Sequence, residues 1–308
     1  MRKKTKKRLV SALSTLAFLG IVAFAAYGPM QDGNGELSLF DFLESILARL
    51  GGNAAFVGDG TLKSFYLDVG QGDSEYIESP NGKTMLIDAS EYEYADEIAA
   101  FLKDRGVKRI DYAIITHPHS DHYGGMRDII NSFDIGEVYM PDATNNASGF
   151  EKLLTTIAQK NIPVTQAMAG VTIDTGSDVK AEFLAPNSSE YEELNDYSAV
   201  VKISYGNTSF LYMGDAEKLS ENEITGNVKA DVVKVGHHGS KTSSGEGFVK
   251  RVRPKYAVVS AGADNQYGLP KDEILKRWQS VGANILITYQ EGNIAFESDG
   301  NEVKRIAP

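Results

Sequence analysis

The stretch Thr116-His117-Pro118-His119-Ser120-Asp121-His122, at the end of the apolar run Tyr112-Ala113-Ile114-Ile115, decides how the rest of the chain is read. Four potential metal ligands fall within six residues, and Tyr123-Gly124-Gly125 follows at once. The chain holds five histidines; three are here, and the other two are adjacent, His237-His238, after Val232-Val-Lys-Val-Gly236. Neutral imidazole offers a lone pair near physiological pH, and ligands that share a cation must be brought close together. Histidines gathered into two short motifs, each capping a predicted strand, point to metal binding rather than to isolated core or surface roles.

Around these motifs the chain alternates short apolar runs with polar turns. Strands are predicted over residues 65–69, 74–78 and 83–88, with Pro80-Asn81-Gly82 as the hairpin turn between the last two. A helix over 91–105 follows, then a buried strand over 110–115 that enters the histidine motif, then a helix over 125–132. Further strands are expected over 137–140, 179–184, 199–205, 209–213, 231–235, 256–260, 284–288 and 294–297, and helices over 150–160, 216–223, 247–252 and 272–281. The pattern is mixed α/β without a repeat at solenoid spacing. Polar groups recur where strands end: Asp68 and Gly70-Gln71-Gly72-Asp73, Asp88, the histidine motif, Asp215 and His237-His238. Loops held at strand ends by a rigid scaffold are where reactive groups are usually placed.

Composition narrows the chemistry. With no cysteine in 308 residues, disulfides, thiolate zinc sites and cysteine nucleophiles are excluded, so a metal must sit on nitrogen and oxygen. An apolar share of 42% and a charged share of 24% are those of an ordinary globular protein. The net charge is −11, although residues 2–8 carry six positives, which leaves the remainder at −17. So acidic a body argues against broad, sequence-independent binding of polyanions.

The basic residues 2–8 precede a nearly uncharged apolar run over residues 9–27. This predicts a membrane-targeting segment over residues 1–27, either a cleaved signal peptide ending near Ala23-Phe24-Ala25 or an uncleaved anchor that holds the protein at the membrane. Either puts the body outside the cytoplasm, secreted or anchored. Residues 28–60 read as a linker in which residues 37–50 form a short amphipathic helix, and residues 61–308 as the folded domain.

Five motifs occur in order: Phe-Tyr-Leu-Asp-Val-Gly-Gln-Gly-Asp-Ser over 65–74, Leu-Ile-Asp-Ala over 86–89, Thr-His-Pro-His-Ser-Asp-His-Tyr-Gly-Gly over 116–125, Met-Gly-Asp-Ala-Glu over 213–217 and Val-Lys-Val-Gly-His-His-Gly-Ser over 233–240. In these the chain resembles the metallo-β-lactamase superfamily, and more narrowly the hydrolase domain of the competence protein ComEC and its free-standing relatives. The likeness runs through residues 62–298. It implies an αββα sandwich with two divalent metal ions, zinc or manganese, on one edge. It also implies that His117 and His119 bind the first metal, Asp121 and His122 the second, and that Asp215 bridges them. One of His237 and His238 completes the second site. Taken as His237, this leaves His238 to protonate a leaving oxygen or contact a phosphoryl group. Many members of the superfamily carry a further histidine ligand between the fourth and fifth motifs. Here no histidine occurs between 122 and 237, so a water or Asp196 takes that place. Tyr267-Gly268-Leu269-Pro270 stands where ComEC-type chains often have Tyr-Gly-His-Pro.

Two divalent cations at such a site lower the pKa of a bridging water and stabilise charge on the attacked centre. Asp121 both binds metal and orients that nucleophile. Ser240, Lys241 and Thr242 offer hydroxyls and a cation to an anionic phosphate, and Asp88 orients a liganding histidine from behind. Asp68 and Asp73 read as structural loop residues, Trp278 as a packing residue, and Tyr92, Tyr94 and Tyr267 as candidates to line the cleft. The function expected is an extracytoplasmic, dinuclear-metal hydrolase of phosphodiesters, either nucleic acid or a cell-wall phosphodiester. The alternatives are a lactam- or lactone-opening hydrolase and a non-catalytic metal-binding accessory protein. No protein partner is inferred.

Overall fold

The structure is a computed structural model. It describes residues 58–308 and, ahead of them, two antiparallel two-residue strands, β1 (Gln31–Asp32) and β2 (Gly35–Glu36). The expected targeting segment and the amphipathic helix over 37–50 lie outside the described residues. Among the described residues no helix is long and apolar enough to cross a membrane. Gly58–Pro308 forms one compact unit.

Two sheets build that unit. The first has the order β17-β16-β3-β4-β5-β6-β7-β8, with β3 Leu62–Tyr66, β4 Glu75–Glu78, β5 Thr84–Ile87, β6 Arg109–Ile114, β7 Asp134–Met140, β8 Val164–Gln166, β16 Ile294–Ser298 and β17 Val303–Ile306. The second runs β15-β14-β13-β12-β11-β10-β9, with β9 Thr172–Ile173, β10 Val179–Ala185, β11 Val200–Tyr205, β12 Thr208–Tyr212, β13 Val232–Lys234, β14 Tyr256–Val259 and β15 Asn284–Ile287. The sequence pattern explains the layering. Successive side chains of a strand point to opposite faces, and strands covered on both faces read as nearly continuous apolar runs. Thus Met85 and Ile87 of β5, Tyr112 and Ile114 of β6, Phe210 and Tyr212 of β12, and Val258 of β14 meet in a core between the sheets. Leu86, Ala113 and Ile115 face outward on the first sheet. On the second, Leu211, Met213, Val233 and Val259 do the same.

Helices cover both outer faces. On the first sheet lie α1 (Ala95–Asp104), α3 (Met126–Ser132) and α4 (Ser148–Gln159). α1 shows why: Ala95, Ile98, Ala99 and Leu102 form one buried stripe at helical spacing. The one-turn helix α2 (Ser120–Tyr123) precedes α3. Helices α6 (Glu246–Val252) and α7 (Asp272–Ser280) cover the second sheet. Short α5 (Lys218–Glu223) and α8 (Thr288–Glu291) complete the set. Trp278 of α7 is fully buried in that outer core, with its indole N–H donated to Ser244 Oγ at 3.1 Å, as a packing residue should be. The result is the expected αββα sandwich. Sequence reasoning missed β1, β2, β8, β9 and β17, and it placed β3 three residues late.

Pairs β5–β6 and β12–β13–β14 are parallel. Their C-terminal ends fall on one edge of the sandwich, where Asp88, the histidine motif, Asp215 and His237-His238 emerge.

Candidate metal centre

Backbone contacts first fix the loops. Asp73 N–H donates to Asp121 O at 3.1 Å, and Ala89 N–H to His122 O at 2.7 Å. This close approach needs glycine at 72, since a Cβ there would stand 2.6 Å from Asp121 O. Gly214 (φ 50°) turns tightly against Thr116, whose Cβ would lie 2.9 Å from an added Cβ. Asp88, Ser90, His237 and His238 also have left-handed backbones, with φ of 55°, 50°, 49° and 50°. Such conformations cost free energy and gather at functional sites.

Asp215 stands at the centre, buried, its two oxygens facing different imidazoles. Oδ1 lies 3.3 Å from His122 Nε2 and 3.5 Å from His238 Nε2. Oδ2 lies 3.9 Å from His117 Nε2 and 3.7 Å from His237 Nε2. His117 Nε2 and His119 Nδ1 are 3.0 Å apart. Asp121, His122, Asp215 and His238 converge so that one donor atom from each lies within 4.8 Å of the others. Of the adjacent pair, His238 is the one that joins the cluster with Asp121 and His122. The cause is local. Asp73 Oδ1 at 3.3 Å and Ser260 O at 3.0 Å hold His238 Nδ1 and turn Nε2 toward Asp121 Oδ2, 3.4 Å away.

Three atoms in this cluster, His122 Nε2, Asp215 Oδ1 and His238 Nε2, are buried without a hydrogen-bond partner. Polar atoms are rarely left so, and here they point at one another. The electrostatics agree. Burial would depress His238, but the carboxylates of Asp215, Asp73 and Asp121 outweigh it and push the imidazole up to about 10. His122 is raised well above the ordinary range against the same burial cost, by Asp215, Asp121 and Asp88. Burial would raise Asp121, yet the imidazoles beside it hold its carboxyl below the usual range. Carboxylates that demand positive charge, around lone pairs that converge, fit a divalent cation. His117 differs: burial and the neighbouring His122 keep it well below the usual histidine range, hence neutral and able to donate its lone pair.

Asp88 lies directly behind His122. Its Oδ2 accepts from His122 Nδ1 at 2.7 Å and Thr116 Oγ1 at 2.6 Å, and its Oδ1 from Thr116 N–H at 2.8 Å. Lys241 departs from expectation, because the loop turns it outward to Glu273, 3.8 Å away. Thr242 lies behind the site, 3.0 Å from His237 Nδ1, while Ser240 reaches the cleft wall. Asp196 Oδ1 accepts Ser220 N–H at 3.3 Å, and Asp196 belongs to no converging donor group among the described residues. Of the three tyrosines, Tyr94 and Tyr267 line the cleft and Tyr92 does not. Sequence reasoning gave Asp73 a structural role, and the structure sets it against His238; it did not single out Lys271, which lies on the cleft wall. The cleft over the centre holds about 1050 Å³, and Glu91, Glu93 and Asp264 border it.

Residues 67–263 match the metallo-beta-lactamase superfamily. The chain belongs to that superfamily. It is also similar to ComE operon protein 3 of Bacillus subtilis (strain 168), 29% identical over 250 residues that cover 75% of this chain and 32% of that protein. Recombination protein 2 of Haemophilus influenzae is 29% identical over 252 residues, covering 78% of this chain and 29% of the relative. The chain thus spans about a third of the length of these relatives. Among solved structures, CmlA, a diiron beta-hydroxylase from Streptomyces venezuelae, superposes with a TM-score of 0.51 at 16% identity, covering 85% of this chain and 59% of that one; this likeness shows the fold alone. Superfamily membership and the converging donors support a metal-dependent hydrolase that uses divalent ions.

Proposed function

We propose that this superfamily member is an extracytoplasmic hydrolase of phosphodiesters that works with two divalent cations, zinc or manganese. One observation carries the reading: Asp215 offers one oxygen to each of two imidazole sets. When bound, a cation pair supplies a water of lowered pKa and neutralises charge on the attacked phosphoryl group. The chain's own residues do the rest. Asp215 sets the spacing of the two sets, and Asp121, ionised and partly open to the cleft, accepts a hydrogen bond from the attacking water and orients it. Ser240, Asn195 and Lys271 on the cleft wall offer donors to phosphoryl oxygens. His238, expected from the sequence to act as the acid, is buried within the ligand cluster and is assigned to metal binding instead. The basic and apolar residues over 1–27 support export.

The name of one relative, recombination protein 2, favours a nucleic-acid phosphodiester. The acidic rim, with Lys271 as the one lysine or arginine among the described lining residues, favours a smaller one whose charge is offset, such as a choline phosphodiester on a wall polymer. The test assays the full-length chain with Mn²⁺ or Zn²⁺ on bis-p-nitrophenyl phosphate, a choline phosphodiester, single-stranded DNA and nitrocefin. Phosphodiester turnover is expected. It should fall in Asp121→Ala by more than the about 10–100-fold that loss of an outer partner costs. No phosphodiester turnover with both cations bound would sink the reading, and nitrocefin turnover of equal rate would move it to a carbonyl substrate.

A further inference from the structure

The first cation's place is short of a ligand. After His122 the chain holds no histidine until His237, and Asp196 turns its Oδ1 to a backbone N–H of α5. We propose that His237 fills this place, so that two adjacent histidines of one turn serve different cations. His237 joins His117, His119 and Asp215 Oδ2 around the first cation, and His238 joins Asp121, His122 and Asp215 Oδ1 around the second. The proposal rests on the two-cation reading above and assigns the ligand that the sequence lacks.

Three observations carry it. His237 Nε2 stands 3.7 Å from Asp215 Oδ2, the oxygen that faces His117 Nε2 at 3.9 Å. Ligands held about 2.0–2.1 Å from a tetrahedral ion lie about 3.4 Å from one another; both distances to Asp215 Oδ2 are near that value, and the rings must draw together on binding, since these donors do not all come within 4.8 Å of one another. The second observation concerns the other ring nitrogen. A liganding histidine usually gives its far nitrogen to a carboxylate, carbonyl or hydroxyl that fixes the ring. His237 Nδ1 has such partners in Thr242 Oγ1 at 3.0 Å and Glu217 Oε1 at 3.2 Å, and Asn195 Nδ2 donates to the same Glu217 oxygen at 3.0 Å. His122 and His238 are held in the same way by Asp88 and by Asp73 with Ser260. Third, His237 and His238 adopt successive left-handed conformations (φ 49°, ψ 47° and φ 50°, ψ 26°), which no glycine relieves. That turn sets the two rings 6.2 Å apart at 71° and directs them to opposite oxygens of one carboxylate.

The test counts cations without any substrate. The full-length chain is loaded with Mn²⁺ and desalted; its manganese is counted by mass spectrometry, and its electron paramagnetic resonance spectrum is recorded. Wild type is expected to hold two ions per chain with an exchange-coupled spectrum. His237→Ala should keep one, with the signal of an isolated ion, and bind the other at least about tenfold more weakly; the retained ion shows that the variant folds. Glu217→Gln should weaken that same ion by about 10–100-fold yet return to two per chain at saturating Mn²⁺. Two ions bound with unchanged affinities in His237→Ala would overturn the assignment. A wild-type chain that takes up a single ion would instead sink the two-cation reading itself, and this assignment with it.

Discussion

Asp73 shows what one residue can do that its position in the sequence does not announce. It sits in a Gly-Gln-Gly-Asp loop and reads as a turn residue, yet it is fully buried, with Oδ2 2.6 Å from Lys234 Nζ and Oδ1 3.3 Å from His238 Nδ1. Lys234 is also fully buried, and its ammonium otherwise donates only to Val235 O at 3.0 Å. Nearby Glu75 is pushed well above the usual carboxyl range by burial and by Asp73, so it stays neutral and leaves Asp73 as the counterion. Breaking a buried pair by removing one partner costs about 3–5 kcal/mol, because the other charge stays buried and unanswered. Asp73→Asn should therefore destabilise the metal-free chain by about that amount in urea unfolding. Adding Lys234→Met should restore most of the loss. If Asp73→Asn unfolds at the same urea concentration as wild type, the ion pair does not hold this loop.

At the scale of elements, α5 anchors the loop behind His237. Glu221 of α5 accepts Ser244 N–H at 2.5 Å and Gly245 N–H at 2.7 Å, and Lys218 N–H donates to Thr242 O at 3.0 Å. Burial pushes the Glu221 carboxyl up to about 7, against those N–H groups and the Lys218 and Arg277 charges that favour ionisation. The folded chain thus holds this proton more tightly than the unfolded chain does, where the group titrates near 4.5. The stabilisation is complete below about 4.5 and is lost as pH rises through about 7. Glu221→Gln, though less stable at pH 5 for want of one acceptor, should lose that decline; denaturant midpoints at pH 5 and pH 8 measure it. An undiminished decline in the variant would place its source elsewhere. Why such ties were not legible in the sequence is plain from particular elements. The strands over the core announced themselves because they are buried on both faces, whereas β8, exposed at Val164 and Gln166, and two-residue β9 carry no apolar pattern. His117, His119, Asp121 and His122 were legible because a local motif brings them together. Which of His237 and His238 joins them depends on two backbone angles and on Asp73 and Ser260, far away in the chain. Lys241 and Lys271 exchange places at the cleft because a loop direction, not a composition, decides which one faces in.

Over the whole molecule, charge and cleft shape bear on the substrate together. The chain carries −11, and −17 without the cations of residues 2–8. The cleft adds Glu91, Glu93 and Asp264 around the centre against Lys271. A protein that tracks a polyanion with cations loses affinity steeply as salt rises, because it releases counterions. An acidic surface that meets a polyanion should behave in the opposite way. Their repulsion is felt across about 30 Å at 0.01 M salt and only about 8 Å at 0.15 M, so added salt should speed encounter. The specificity constant, kcat/KM, for single-stranded DNA is therefore expected to rise severalfold between these salt concentrations. For a choline phosphodiester, whose charges cancel, it should stay nearly flat. Metal occupancy must be checked at each salt concentration, since weaker cation binding would mimic a loss of turnover. A steep fall with salt on DNA at full occupancy would mean that cations guide a long strand to the centre, and the preference for a small phosphodiester would be wrong.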